Sequence, residues 1–260
     1  MKNAFNAIVI ILALVLSYLF FEFVMGAPGN FEDPDVRHLP MQGNIMGMIY
    51  TGGPLVSLLI AFILISTTFI IERAFSISKA RGKGKLETFI KNISQQLSKG
   101  DIDGALKSCH NQRGSMANII RAGLETYEKV KGDDELDREK KMTEVKRAID
   151  EATNLETPLL EKNMVILSTV ASIATMIGLL GTTIGMIRAF AAVAKGGTVS
   201  ATQLSLGISE ALYNTAGGLI GAVISIVAYN YFTTKVDNFI YMIDEAILSV
   251  TEILSVKIKD

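Results

Sequence analysis

Two apolar stretches decide the fold. Residues 164–192 read MVILSTVASIATMIGLLGTTIGMIRAFAA, and residues 202–232 read TQLSLGISEALYNTAGGLIGAVISIVAYNYF. At a rise of about 1.5 Å per residue, a helix of either length crosses a hydrocarbon layer about 30 Å thick. The first stretch carries no charge before Arg188, and the second carries only Glu210. A short link containing Lys195-Gly196-Gly197 joins them, which permits only an antiparallel hairpin. Thr182 and Thr215 are therefore expected at similar depth on facing helices, and the hairpin is read as the wall of an ion path.

Ala174, Gly178, Gly181, Gly185 and Ala189 recur at steps of three or four on the first helix. Gly207, Ala211, Thr215, Gly218, Ala222 and Ser225 do so on the second. Small faces let helices approach closely in lipid, where apolar burial gives no drive to associate. Packing alone accounts for the glycines. It accounts less well for Thr182, Thr183, Glu210, Asn214 and Thr215, which interrupt apolar runs. An acid at membrane depth is costly and marks an ion route or a paired partner. Thr and Asn by themselves serve equally as bonds across helices or back to the i−4 carbonyl. Glu210 falls one turn outward of Thr215, which makes it a mouth residue or half of an inter-subunit pair, not a carrier at the midplane. The candidate path lining is the polar set Thr182, Glu210, Asn214 and Thr215 with Gly178, Gly181, Gly185, Ala189, Ala211, Gly218 and Ala222. The first helix has no Asp, Glu, His or Lys before Arg188, so a partner is expected to supply the titrating carboxylate.

Outward from the hairpin, the rest of the chain also reads as membrane protein. Of its 260 residues 49% are apolar, and its mean hydropathy is positive. An apolar run over residues 4–21 follows Lys2 and ends at Glu22. It is longer than a signal-peptide core, and Val24-Met25-Gly26 is a poor cleavage site, so a retained span is preferred to a removed leader. Residues 30–50 begin turn-rich, with Pro34, Asp35 and Pro40, and end in a short apolar segment suited to a helix lying along the membrane surface. Gly52-Gly53-Pro54 opens a further span over residues 55–71. Of the 25 Lys and Arg residues, 18 lie between Arg73 and Lys162, and such an excess marks the cytoplasmic flank of a span. The expected division is an N-terminal helix (1–26), a periplasmic segment (27–51), a span (52–72), a cytoplasmic helical domain (73–162), two spans (163–193 and 202–232) around a periplasmic link (194–201), and a cytoplasmic C-terminal helix (233–260). The fold class is all-α: a polytopic helical membrane protein whose long helices extend into a cytoplasmic helical domain.

The inner region has helical periodicity. Leu86, Phe89, Ile90, Ile93 and Leu97 share one face, Gly100-Asp101 and Gly114-Ser115 start two further helices, and Gly132-Asp133-Asp134 breaks the chain. After Glu135 only Pro158 interrupts, as a kink and not a stop. The charges of residues 135–151 alternate in sign, which fits a solvated face laced by i,i+4 pairs and not nucleic-acid binding. Val236, Phe239, Ile240, Ile243, Ile247, Val250 and Leu254 form a helical stripe too polar to span; it is expected to continue the last membrane helix and pack on the inner domain or on a neighbouring subunit. Cys109 lacks a His/Asp partner motif and reads as a buried, inert thiol, while His38 and His110 lack metal-ligand spacing. GLLGTTIG at residues 178–185 lacks the Gly-Lys-Ser/Thr ending of a phosphate loop. No nucleophile–base pair, cofactor motif or metal spacing points to an enzyme.

Two motifs carry a family resemblance. Residues 178–190, GLLGTTIGMIRAF, resemble the GLLGTVxGMIxAF signature of the TolQ/ExbB/MotA proton-channel family. Residues 208–219, ISEALYNTAGGL, followed by Tyr229-Asn230, resemble its second signature, IAEALxxTAxGL…YN. With Ile71-Glu72-Arg73 and the helical inner region, the likeness covers about residues 55–231 and is nearest to ExbB and TolQ. It implies a homopentamer in the bacterial inner membrane around the helices of an ExbD- or TolR-like dimer. The partner's membrane aspartate takes up and releases the ion, and work passes to a TonB-like protein. By resemblance Thr182 and Thr215 face that aspartate, and Glu210 stabilises the pore or subunit contacts. The ion is H+ by resemblance, with Na+ left open; no cofactor is implied. A flagellar or gliding-type stator and a non-conducting scaffold are the alternatives. Thr175 and Ile224 stand where the family has prolines, which should straighten both helices, and Thr183 stands for the valine of GTV. The additional first span lies outside the usual three-span core and is placed at the rim of the ring.

Overall fold

The computed structural model describes residues 2–33, 39–133, 136–194 and 201–257. Expectations for Pro34, Asp35, His38 and the Lys195-Gly196-Gly197 link fall outside these residues. The described chain is helical apart from an isolated bridge between Phe31 and Pro40. It divides into two compact units, Met1–Ile71 with Asn163–Asn230, and Glu72–Lys162 with Tyr231–Asp260. Four helical stretches, within Asn6–Met25, Pro54–Lys99, Arg138–Val193 and Ala201–Lys257, are long and apolar enough to cross a membrane.

In the first unit, α1 (Lys2–Leu19) continues into a π-helical turn, Phe20–Met25. Ala13, Ser17, Phe21 and Met25 are buried, whereas Ile8, Leu12, Val15 and Phe23 lie open, as on a helix wetted by lipid. The π-helical turn leaves carbonyls at the end of the helix, and one side chain collects them: Asn30 Nδ2 donates to the carbonyls of Val24 and Met25, both at 2.8 Å. Asn44 Nδ2 donates to Asn30 Oδ1 at 3.0 Å, while its own Oδ1 caps α2 (Ile45–Tyr50) by accepting from the Gly47 amide at 3.1 Å. Tyr50 stacks on Phe21 with ring centroids 4.5 Å apart. The segment expected along the membrane surface is a six-residue helix bound to the C-terminal end of the first apolar helix. Gly53, at φ 78°, makes the turn that Pro54 converts into α3 (Pro54–Arg81). α8 (Met164–Ala194) and the part of α9 (Ala201–Lys257) up to Asn230 complete this unit, and the hydroxyls of Ser66 and Ser225, 2.6 Å apart and buried, tie α3 to α9.

The second unit holds α4 (Leu86–Lys99), α5 (Ile102–Gln112), α6 (Ser115–Val130) and α7 (Arg138–Glu161). Its core includes Ile93, Leu97, Ile119, Leu124, Val145 and Ile149. The expected starts hold: Asp101 caps α5 by accepting from the Gly104 amide at 2.9 Å, and Gly114, at φ 84°, precedes α6. Asp137 caps α7 through the Lys140 amide at 2.7 Å, and that bond holds its carboxyl below the usual range. Arg147 pairs with Glu144 and Glu151 on the solvated face expected from the alternating charges. Pro158 lies inside α7 without ending it. The stop, which the sequence reading lacked, comes at Lys162-Asn163, where Asn163 adopts φ 63°; Asn is among the few residues that tolerate this region. Buried Arg73 reinforces the end of α7, donating to the Leu160 carbonyl at 3.3 Å while paired with Glu72 at 2.6 Å. The C-terminal stripe Phe232, Val236, Phe239, Ile243, Ala246, Val250 and Leu254 is buried on this unit, and Lys257 Nζ donates to the Ser98 carbonyl at 2.7 Å.

Cys109 is buried as expected, and burial pushes its thiol up to about 12. At pH 8 a thiol with that value is ionised to about one part in ten thousand. Maleimide should therefore leave Cys109 unmodified in the native protein at pH 8 and label it fully in denaturant. Mass spectrometry reads the difference.

Candidate functional site

α8 and α9 touch through their backbones. A Cβ added to Gly185 would lie 2.6 Å from the Ala211 amide nitrogen and 2.7 Å from the Gly207 carbonyl oxygen. One added to Gly218 would lie 2.6 Å from the Ala174 carbonyl oxygen. Ala174, Ala189 and Ala211 are buried in the same seam. Of the expected lining residues, Gly178, Gly181, Gly185, Ala189, Ala211 and Gly218 are thus turned onto the facing helix of their own chain and are occupied by packing, while Ala222 is half-buried. They present no open wall here, because two helices so close leave no gap between them.

The polar residues sit at the margin of that seam. The hydroxyls of Thr182 and Thr215 bond directly to each other, so the two residues are at the same depth, as the hairpin argument requires. Thr182 Oγ1 also donates to the Gly178 carbonyl at 3.2 Å. Both threonines are half-buried. Thr183 is exposed and donates to the Leu180 carbonyl at 2.7 Å. A hydroxyl donates once and accepts twice but does not titrate in the physiological range, so this pair can orient or solvate a proton carrier without being one.

Toward the other end of α8, Arg188 Nη1 donates to Glu210 Oε1 at 2.5 Å. The carboxylate side chain is 9% exposed and the guanidinium 58%, so the acid is the desolvated half of the pair. A Cβ on Gly53 would lie 3.0 Å from the same carboxylate oxygen, which is how the bare turn admits it. Asn214, fully buried, donates through Nδ2 to the Gly52 carbonyl at 2.7 Å and to the Glu210 carbonyl at 2.9 Å. Its Oδ1 is buried without a hydrogen-bond partner. The partner sought for Glu210 in another subunit is therefore present in its own chain. Sequence reasoning noted Arg188 only as the first charge on its span; its position near the only acid of the facing apolar run was the signal available. Ser66 was missed as well: it opens the run Ser66-Thr67-Thr68, whose two threonines donate to carbonyls of their own helix, and nothing in the sequence singles it out.

The MotA/TolQ/ExbB proton channel family matches residues 111–245, just over half of the chain and the whole of this hairpin. The chain belongs to that family. This family member is therefore a multi-pass membrane protein of the channel type and not an enzyme. It is 30% identical over 184 residues to a putative biopolymer transport protein ExbB-like 3 of Synechocystis, spanning 70% of this chain and 81% of the relative. Identity is also 30% over 183 residues to the Tol-Pal system protein TolQ of Haemophilus influenzae, covering 69% and 78%. The biopolymer transport protein ExbB of Aquifex aeolicus is 40% identical over 77 residues, 30% of this chain and 52% of that protein.

The seam makes a direct test. Gly185→Ala puts a methyl group against backbone that cannot rotate away, and overpacking of this kind costs about 1–3 kcal/mol. The detergent-solubilised variant should melt at a lower temperature than the parent, whereas Gly29→Ala, where an added Cβ meets nothing within 4 Å, should not.

Proposed function

We propose that this protein is the channel-forming stator subunit of an ion-driven motor in a bacterial inner membrane. In this reading, proton flow energises a process at the outer membrane. The observation that carries it is the Thr182–Thr215 hydroxyl pair, half-buried at the edge of the hairpin with no titratable side chain bonded to it. Such a pair has the chemistry to receive a carboxyl group on a neighbouring helix and to exchange hydrogen bonds with it as it gains and loses a proton. In this reading, which family membership supports, an ExbD- or TolR-like dimer supplies that carboxyl group and a TonB-like protein takes up the work. Five copies of this chain then surround the dimer, with Ala222 and the two threonines toward it and α1 at the outer rim. The excess of Lys and Arg in residues 73–162 puts that region and the C-terminal end of α9 in the cytoplasm, and the turn at Gly52-Gly53 in the periplasm.

The test is ion flux. The protein is reconstituted in liposomes with an ExbD/TolR-like partner from the same genome, and a pH gradient is imposed. Thr182→Ala and Thr215→Val should each lower flux by at least about tenfold, equivalent to roughly 1.4 kcal/mol on the barrier, while still co-purifying with the partner. Flux unaltered in both variants would remove the hydroxyl pair from the path. No flux from the parent complex would favour a non-conducting scaffold, and flux that follows Na+ and not pH would reassign the ion.

A further inference from the structure

The α8–α9 seam does not choose its own register. Its small residues recur every three or four positions on both helices, so sliding one helix along the other by a turn again sets small residue on small residue. Gly185 sits between Ala211 and Gly207, and Gly218 between Ala174 and Gly178, so the neighbours a one-turn slip would bring in are themselves small. Asn214 fixes α9 to the turn at Gly52, and Ser225 fixes it to α3, but neither bond reaches α8; the Asn214 side chain does pack on Gly181, yet a one-turn slip would set it on Gly178 or Gly185 instead. Among the polar ties that do are Thr182–Thr215 and Arg188–Glu210. Arg188 is six residues beyond Thr182, and Glu210 is five residues before Thr215, so both ties belong to one antiparallel register. A slip of four residues carries Glu210 about 6 Å along the axis from Arg188. It would leave a buried carboxylate without its cation.

We infer that the Arg188–Glu210 ion pair specifies the register of α8 against α9, so that Arg188 is a positioning residue for the Thr182–Thr215 pair. An ion pair suits this task. Its contribution to stability is small against an apolar substitute, but the penalty for an unpaired buried charge in every other alignment is large. The Arg188 side chain is the exposed half of the pair and need only be near enough to satisfy the acid. This inference concerns the packing of the hairpin and does not depend on whether ions pass along it.

Disulfide trapping in the full-length protein, in its native membrane and in a Cys109→Ala background, tests it. A Cβ at Gly221 would lie 3.5 Å from the Ala174 Cβ, within the range of about 3.5–4.5 Å that a disulfide accepts. The pair Ala174→Cys/Gly221→Cys therefore reports the native register, and Ala174→Cys with Gly217→Cys or Ser225→Cys reports a slip of one turn either way. Mild oxidation followed by a maleimide mass tag counts the free thiols. With Arg188 intact, only the first pair should close. Arg188→Ala should lose most of that crosslink and gain one of the others, and Arg188→Lys should restore the parent pattern. Where Arg188→Ala fails to accumulate, Arg188→Ala/Glu210→Ala removes the orphaned charge and should crosslink in more than one register. Native-only crosslinking in Arg188→Ala or in the double variant would overturn the inference. So would failure of the double variant to reach the membrane, since the pair would then be needed for folding as a whole.

Discussion

The contact of α8 with α9, backbone against backbone, is the constraint on which the rest of this structure depends. In water a glycine-rich helix face is a poor core, because it buries little apolar surface. In lipid the reference state is already apolar, and association depends on dispersion and on hydrogen bonds that short distances make possible. Gly185 against Ala211 and Gly218 against Ala174 supply the distance. Only then can side chains as short as threonine reach across, which is why the Thr182–Thr215 bond is found beside the glycines and not elsewhere on either helix. The small residues and the hydroxyl pair are one device.

The same closeness explains where the charges lie. A carboxylate held 9% exposed between helices has no water to solvate it, so it must be paired where it sits. Arg188 provides the charge, Gly53 the space, and Asn214 a bond to the Gly52 turn and to its own helix. The assembly is asymmetric. Removing the cation strands the acid, whereas removing the acid leaves a guanidinium already in contact with solvent. The remaining inconsistency is Asn214 Oδ1, which gains no partner for its burial. Its amide group donates twice to carbonyls on different elements, and that double tie fixes the orientation that leaves the oxygen unmatched.

Most of the helical plan could be read from periodicity and from the positions of Gly, Pro and charge. Lipid and core impose long, regular demands, and the sequence has to meet them at every turn. Thr182 and Thr215 were legible for the same reason: a polar residue in an apolar run is conspicuous, and antiparallel geometry fixes which two meet. What stayed hidden were pairings set by three-dimensional proximity between ordinary residues. Asn30 collecting the carbonyls of the π-helical turn is one, and Asn44 bonded to Asn30 is another. The break at Asn163 was obscured by Pro158, the stronger local signal: the proline removes the N–H that would donate to the Asn154 carbonyl, yet α7 runs on to Glu161. Arg188 was visible as a charge but not as a partner, since choosing its mate requires the register that the pair itself helps to set.

A path whose own walls titrate would face a difficulty that this hairpin avoids. A carboxylic acid that must cycle between charged and neutral forms cannot also be a fixed structural charge, because each protonation would release the contact it maintains. Here the two roles fall on different residues. Glu210 is held by a cation and serves the packing, whereas the threonines at the seam's edge are neutral at every pH the membrane meets. Under the proposed function, an acid that does cycle lies on a separate helix, free to approach and leave. Its change of charge can then move that helix without unfastening the wall, which is the condition a channel must satisfy if ion flow is to become motion.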